Sequence, residues 1–331
     1  MKAIKGIRNH LGLYCLGAMV LGFATGQLLD VDVPKELIPL ALLLMLYPPM
    51  LDVDLRSLKK AFRRPCLPAT SLLINFCISP VLAYGVAYAA SLSGEPSVMI
   101  GLLLFAMIPC GGMVPAYTGM LKGNVNLSVA ITCVSLLMSV VIVPIWTKLL
   151  LGRTVPVPVV LVMTYLLAAI VLPMVLGIFT RRVVIENFGF LGFEKLKSLL
   201  KLLPGYGLTL LIFVVFSTNG RLLFIEPFLI MKIIVPAACF LLILLFAGTV
   251  LSRILNSSPK DETALTISTS AKNNAVAIAV GGSAFGTDVA TVIAIIGPVV
   301  QLPIMLAYVR LSQAAVLRPL MSRERQNLSV R

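Results

Sequence analysis

The sequence predicts an all-α integral membrane protein with ten transmembrane helices, arranged as two inverted five-helix repeats (1–150 and 151–331). The fourth and ninth helices are broken. Three observations predict this. Hydrophobic residues make up 59% of the chain and charged residues 12%, with a mean hydropathy of +1.02, outside the range of soluble globular chains. Apolar runs long enough to cross a bilayer, which takes ~20 residues, recur along the chain. Two of those runs are interrupted at matching places in the two halves.

The first run, 11–29, follows a basic start (Lys2, Lys5, Arg8). It is too long for the apolar core of a signal peptide and no small-residue cleavage site follows it, so it reads as a permanent span. The second, 36–52, carries Pro39, Pro48 and Pro49; the third is 66–90. The fourth, 97–120, contains Pro109-Cys110-Gly111-Gly112-Met113-Val114-Pro115. Two prolines bracketing two glycines deprive backbone groups of their helical partners. In hydrocarbon such opened backbone is tolerated only where it is buried in protein or lines a cavity, and broken helices of this kind carry the binding sites of membrane carriers. Spans five to eight are 125–150, 156–180, 202–218 and 228–252. The ninth, 262–285, has a polar first half that must face the bundle interior, and it breaks at Ser270-Ala271-Lys272-Asn273-Asn274. The tenth is 288–312. Five spans per half make the second half enter the membrane in the opposite sense to the first. A shift of 163 residues (273 − 110) places Cys110 on Asn273, Gly123 on Gly286 and Ser128 opposite Thr291.

The net charge of +14 is distributed as a topology signal. With the N-terminus inside, twenty Lys and Arg fall on cytoplasmic segments and four (Lys35, Lys148, Arg153, Arg221) on the other side, which predicts cytoplasmic termini and a plasma-membrane, multi-pass protein. The partner of this charge is the lipid bilayer with its anionic headgroups, not nucleic acid. Residues 52–64 and 183–203 read as interfacial amphipathic segments on the same face.

The first break offers open backbone at Gly111, Gly112 and Met113 and one thiol, Cys110. A lone sulfur at the midplane suits reversible capture of a soft solute; a small packing residue is the competing reading. The second break carries Lys272, Asn273 and Asn274. A lysine near the membrane centre costs ~2.5–3.5 kcal/mol on insertion scales, so Lys272 is expected to meet an anion, relay a proton, or act as a fixed internal cation. The asparagines supply donors and acceptors to a solute or tie off the opened backbone. Ser128 and Thr132 share one face of span five, as oxygens for a cation or as hydroxyls bonded back to their own helix. Asn124 and Asp288 read as helix starts. The six cysteines form no pair or Cys/His cluster and His10 is the sole histidine, so no disulfide framework, metal site or cofactor is expected. No carboxylate lies well inside a span, and no hydrolase or nucleotide-binding motif occurs, so no enzyme is expected.

PCGGMVPAYTGMLKGNVNLSVAIT (109–132) and KNNAVAIAVGGSAFG with IIGPVVQLPIML (272–306) resemble the bile acid/arsenite/riboflavin transporter superfamily over nearly the whole chain. Pro109-Cys110-x-x-Met113-Val114 is similar to its arsenite permease branch. The spacing from Pro109 to Lys122-Gly123-Asn124 and Leu127-Ser128 is shared with the sodium/bile acid branch. The resemblance implies a core domain holding crossed broken helices 4 and 9, a panel domain of helices 1, 2, 6 and 7, and a solute site between them worked by alternating access. Three departures stand out. Ala275 replaces the glutamate of the arsenite branch, and Val114, Pro115 and Ser268 replace sodium-ligating positions of the other branch, of which Ser128 and Thr132 are kept. Lys272 falls where that branch has an uncharged polar residue. The expectation is therefore a secondary transporter exporting arsenite or a related small metalloid solute with protons, with Cys110, Gly111, Gly112, Met113, Asn273 and Asn274 at the site and Lys272, Ser128 and Thr132 in coupling. The alternative is a carrier of an organic anion of the bile-acid-symporter type.

Overall fold

The computed structural model describes residues 2–28, 37–51, 65–152, 156–225 and 227–312. The segment 52–64, expected to be amphipathic, residues 153–155 and the residues beyond 312 lie outside the described residues. Every described regular element is helical. In chain order the helices are α1 (Lys2–Leu28), α2 (Leu37–Met50), α3 (Cys66–Ala89), α4 (Pro96–Met107), α5 (Val114–Met120), α6 (Val125–Leu151), α7 (159–200), α8 (Leu203–Ile225), α9 (Pro227–Ile254), α10 (Pro259–Ser270), α11 (Asn274–Phe285) and α12 (Thr287–Ser312). Among the described residues five apolar segments are long enough to cross a membrane: α3, α6, the run Val159–Thr218 through α7 and α8, α9 and α12. Shorter apolar helices accompany them, among them α2, α4 and α11. The two expected interruptions are real. One separates α4 from α5, and the other separates α10 from α11.

α1 and α2 pack on α8, and α2 also packs on α7. Small residues let these backbones approach, as is usual between helices in lipid. A Cβ on Gly207 would lie 2.6 Å from the Ala41 carbonyl, and one on Gly177 would lie 2.7 Å from the Met50 carbonyl carbon. α1 and α8 run parallel, because Gly22 lies against Phe213 and Gly26, one turn on, against Ser217. The remaining helices form a second group, in which α4 packs on α12, α10 on α9 and α6, and α11 on α12; α11 also packs across onto α7 of the first group. Its buried centre is built from α4, α11 and α12, with Leu103, Phe105, Met107, Ala277 and Ile293 fully buried.

Three of the described helices contain a widened turn of five or six residues: Ile74–Ile78 in α3, Leu167–Val171 in α7 and Ile296–Gln301 in α12. Each is followed two residues later by a proline, Pro80, Pro173 and Pro303. A proline has no N–H to donate to the carbonyl four residues back and its ring crowds that carbonyl, so the preceding turn opens.

The two ends of the bundle are each marked by long-range pairs. At one end Lys232 of α9 pairs with Glu95 at 2.5 Å. At the other, the turns α5–α6 and α9–α10 meet: the Asn124 N–H donates to the Lys260 carbonyl (2.9 Å) and the Asn124 amide to Asp261 (2.7 Å). Both turns close in the same way. Lys122 and Asn256 take left-handed backbone (φ 57° and 50°), and the following N–H groups of Gly123 and Ser257 reach back to Thr118 and Ser252, the pattern that ends many helices. Asn124 and Ser258 then cap the next helix through Leu127 N–H and Asp261 N–H. Asp288, expected as a helix start, sits in the first turn of α12, and the cap position is Gly286 at φ +103°. Segment 183–203 is helical to Leu200 with a bend at Gly189 (φ +68°). Phe188, Phe190, Leu191 and Leu199 are exposed on it, and Phe193 is buried under the Arg181 guanidinium, 5.4 Å from the ring centre.

Candidate functional site

The breaks between α4 and α5 and between α10 and α11 cross each other in the interior. The opened backbone pairs with itself: Gly111 N–H donates to the Ala271 carbonyl (3.1 Å) and Asn273 N–H to the Pro109 carbonyl (2.9 Å), making a one-residue antiparallel bridge between Cys110 and Lys272. Buried backbone groups must find partners, and here each break supplies them to the other. The bond pair is locally two-fold, with Gly111 in the role of Asn273 and Pro109 in that of Ala271. Cys110 therefore corresponds to Lys272 at the crossing, one residue away from the register of the 163-residue shift. The reason is local: the two breaks differ in length between flanking helices, so one constant shift cannot serve both.

Gln301, on the widened turn of α12, completes the pairing. Its side-chain oxygen accepts from Lys272 N–H (2.8 Å) and its NH₂ donates to the Lys272 carbonyl (3.0 Å). The Lys272 side chain runs into the core, 2% exposed, and is the one charged side chain among the buried described residues. Its Nζ donates to Asn75 Oδ1 at 2.8 Å. Asn75, on the widened turn of α3, donates in turn to Ser71 Oγ (3.3 Å) and the Ser268 carbonyl (3.1 Å). Sequence reading missed Asn75 and Gln301. The signal was present: a lone amide one to five residues ahead of a mid-span proline marks a turn that opens and re-aims its side chains, and such turns cluster at functional sites.

The other expected residues divide into two groups. Cys110 is fully buried, and its thiol faces α6, donating to Thr132 Oγ1 (3.4 Å) and lying 3.3 Å from Ser135 Oγ. Thr132 and Ser128 both bond back to their own helix, Thr132 to the Ser128 carbonyl and Ser128 to the Val125 carbonyl, each at 2.8 Å. Asn273 ties off backbone, its oxygen accepting from Val276 N–H at 3.3 Å. Asn274 packs its amide against Gly297, where no Cβ would fit, and its oxygen is buried with no hydrogen-bond partner. Ser268 and Ser270, just before the break, likewise have buried hydroxyls without a partner.

A cavity of about 280 Å³ opens beside the crossing, between the end of α2 and the α5–α6 pair. Gly112, Pro115 and Ala116 form one wall, Pro49 and Met50 another, and Val129, Thr132, Cys133 and Leu136 of α6 the third. Gly112 approaches α2 so closely that a Cβ there would lie 2.7 Å from the Pro49 ring. Of the expected site residues the cavity takes Gly112 and Thr132. Met113 is 39% exposed next to it, and Cys110 stands behind Thr132, off the wall.

Apolar helices packed around two breaks that pair at an interior crossing, with a cavity against a separate helix group, define a multi-pass membrane protein of the carrier class. The family comparison is specific: the model of the Sodium Bile acid symporter family matches residues 39–226, more than half of the chain, and the chain belongs to that family. Membership implies a membrane solute transporter. The matched residues include the first break and the cavity wall, and the second break lies beyond them. No curated protein matches the chain.

Proposed function

We propose that the chain is a secondary transporter that moves a small organic solute by alternating access, with Lys272 standing in for a bound sodium ion. The observation that carries this reading is the Lys272 ammonium held at the helix crossing by Asn75, inside the core and away from the cavity. A cation tethered there supplies the positive charge that a coupling ion would otherwise bring, and it repels a second cation by ~4 kcal/mol at about 4 Å with an effective dielectric of about 20. Ser128 and Thr132 spend their hydroxyls on their own helix, and Val114 and Pro115 offer no side-chain oxygen. Protonation of Lys272 then takes the coupling role, which makes the proton the coupling ion.

In this reading α1, α2, α7 and α8 are the panel, the remaining helices the core, and residues 1–150 and 151–331 the two inverted repeats of a ten-span protein. The solute occupies the cavity between them. Its mostly apolar wall favours a solute with an apolar body held by few polar contacts. The thiol on that wall is Cys133 rather than Cys110, which is set back behind Thr132, and a single soft ligand among apolar groups favours an organic solute over an arsenite-like metalloid. The test is transport in liposomes with sodium replaced by choline. Activity is expected to persist in choline and to be lost in Lys272→Gln; a strict sodium requirement in the unmutated protein overturns the reading. Thermal stabilisation by arsenite and by a series of carboxylates identifies the solute class.

A further inference from the structure

A second concavity shares no lining residue with the cavity at the crossing and opens on the outer face of α1 and α8. It is a groove of about 440 Å³ between α1 and α8, lined by Leu13, Tyr14, Gly17 and Leu21 on one side and Tyr206 and Phe213 on the other. Its floor is open at Gly17, where a Cβ would meet nothing within 4 Å. Leu13 and Leu21 are mostly exposed and both tyrosines are about half exposed, Tyr14 at 47% and Tyr206 at 52%. Apolar surface with tyrosines at one end is the pattern of a membrane–water boundary.

What decides the occupant is charge. Because α1 and α8 pack in parallel, their N-terminal ends lie on the same side of the bundle. On α1 the groove residues are preceded by Lys5 and Arg8. Ahead of α8 stands Lys201, exposed in the turn from α7 and five residues before Tyr206. Further back along α7 the sequence carries Arg181, Arg182, Lys195 and Lys197 beside Glu186 and Glu194, which pair with Arg182 and Lys197, on the bent segment whose Phe190, Leu191 and Leu199 are exposed. Two separate chain segments thus deliver basic residues to one end of an apolar groove.

We propose that this groove binds an anionic phospholipid, its acyl chain lying along Gly17 between α1 and α8 and its phosphate headgroup at the end where Lys201 is exposed and where, in the sequence, the basic start of α1 precedes the groove residues. The apolar groove holds the chain, and the tyrosine hydroxyls lie at the depth of the ester region. A zwitterionic lipid can fill the groove equally well but gains nothing from the basic end, whereas an anionic one gains attraction from each Lys or Arg near the surface. The α7 segment beyond Gly189 rests on the same leaflet and extends the basic surface.

The experiment uses the full-length purified protein in detergent, titrated with phosphatidylglycerol or phosphatidylcholine, and follows the unfolding temperature and, by native mass spectrometry, the lipid retained. Phosphatidylglycerol is expected to raise the unfolding temperature saturably and phosphatidylcholine to raise it only at higher concentration. Removing one basic residue, as in Lys201→Gln or Arg8→Gln, is expected to weaken phosphatidylglycerol about fivefold. Gly17→Trp, which fills open space without disturbing a packed contact, is expected to abolish the retained lipid while the unliganded unfolding temperature stays the same. Equal effects of the two lipids overturn the proposal, as does undiminished phosphatidylglycerol binding in all three variants. A Gly17→Trp variant that changes oligomeric state without changing lipid binding overturns it in favour of a second copy of the chain.

Discussion

Asn75 and Lys272 act as one unit. A buried ammonium with three donors depends on its few acceptors, and Asn75 is the one that faces it. Asn75→Leu removes that acceptor at nearly constant volume, and breaking a buried charged contact from one side costs ~3–5 kcal/mol. The expected outcome is loss of transport together with a large fall in thermal stability. Replacing both partners, as in Asn75→Leu with Lys272→Met, removes the orphaned charge as well, so stability is expected to return while transport does not. Unchanged stability in the single variant would mean that the ammonium draws its support elsewhere. Cys110 behaves differently. Its thiol meets Thr132 and Ser135 behind the cavity wall, and a serine hydroxyl can make the same contacts. Cys110→Ser is expected to fold normally and to keep transport of an organic solute within about threefold, less than 1 kcal/mol in transition-state terms. Abolished transport in this variant would return the metalloid reading to first place.

At the level of elements, the widened turns are what bring the site together. Pro80 and Pro303 each open the turn before them, and the opened turns carry Asn75 and Gln301 to the same residue, one to its ammonium and one to its peptide group. Gln301→Leu keeps the bulk and deletes both backbone contacts, leaving a buried N–H and a buried C=O unpaired. At ~1–3 kcal/mol for each orphaned group, the expected loss is about 2–6 kcal/mol of stability. Gln301→Glu keeps the acceptor for Lys272 N–H and loses the donor to its carbonyl, so it is expected to fall between. Chemical denaturation of the two variants gives the order, and a Gln301→Leu protein as stable as the unmutated chain would remove Gln301 from the account.

For the whole molecule, the pairs at the two ends constrain the threading. Glu95 with Lys232 and Asn124 with Lys260 and Asp261 belong to opposite ends of the bundle, and Lys122, Arg253 and Lys260 lie about the second of these. Both termini are therefore expected in the cytoplasm with residues 91–96 and 153–155 outside. Single cysteines placed on a cysteine-free background and labelled from one side read this directly. Labelling near Arg323 from outside would overturn the threading and with it the even number of spans.

Composition alone determined that this chain lives in a membrane, because 59% hydrophobic residues cannot be buried in a soluble core. Proline and glycine determined where its helices break, because those residues remove donors and backbone restraint wherever the chain folds. Capping asparagine was legible too: Asn124 reads as a helix start and is one. Tertiary structure decided what the breaks are for. Which broken backbone pairs with which depends on contacts between residues some 160 positions apart (110 and 272), and no local pattern encodes them. The same holds for side-chain direction. Cys110 and Lys272 both looked like ligands because each sits in opened backbone, yet one turns toward α6 and the other toward α3. Asn75 and Gln301 looked like isolated polar residues in apolar helices, and they became the supports of the crossing only when the proline-opened turns swung them onto it. Packing sets direction, and direction separates a residue that lines the cavity from one that holds it in shape.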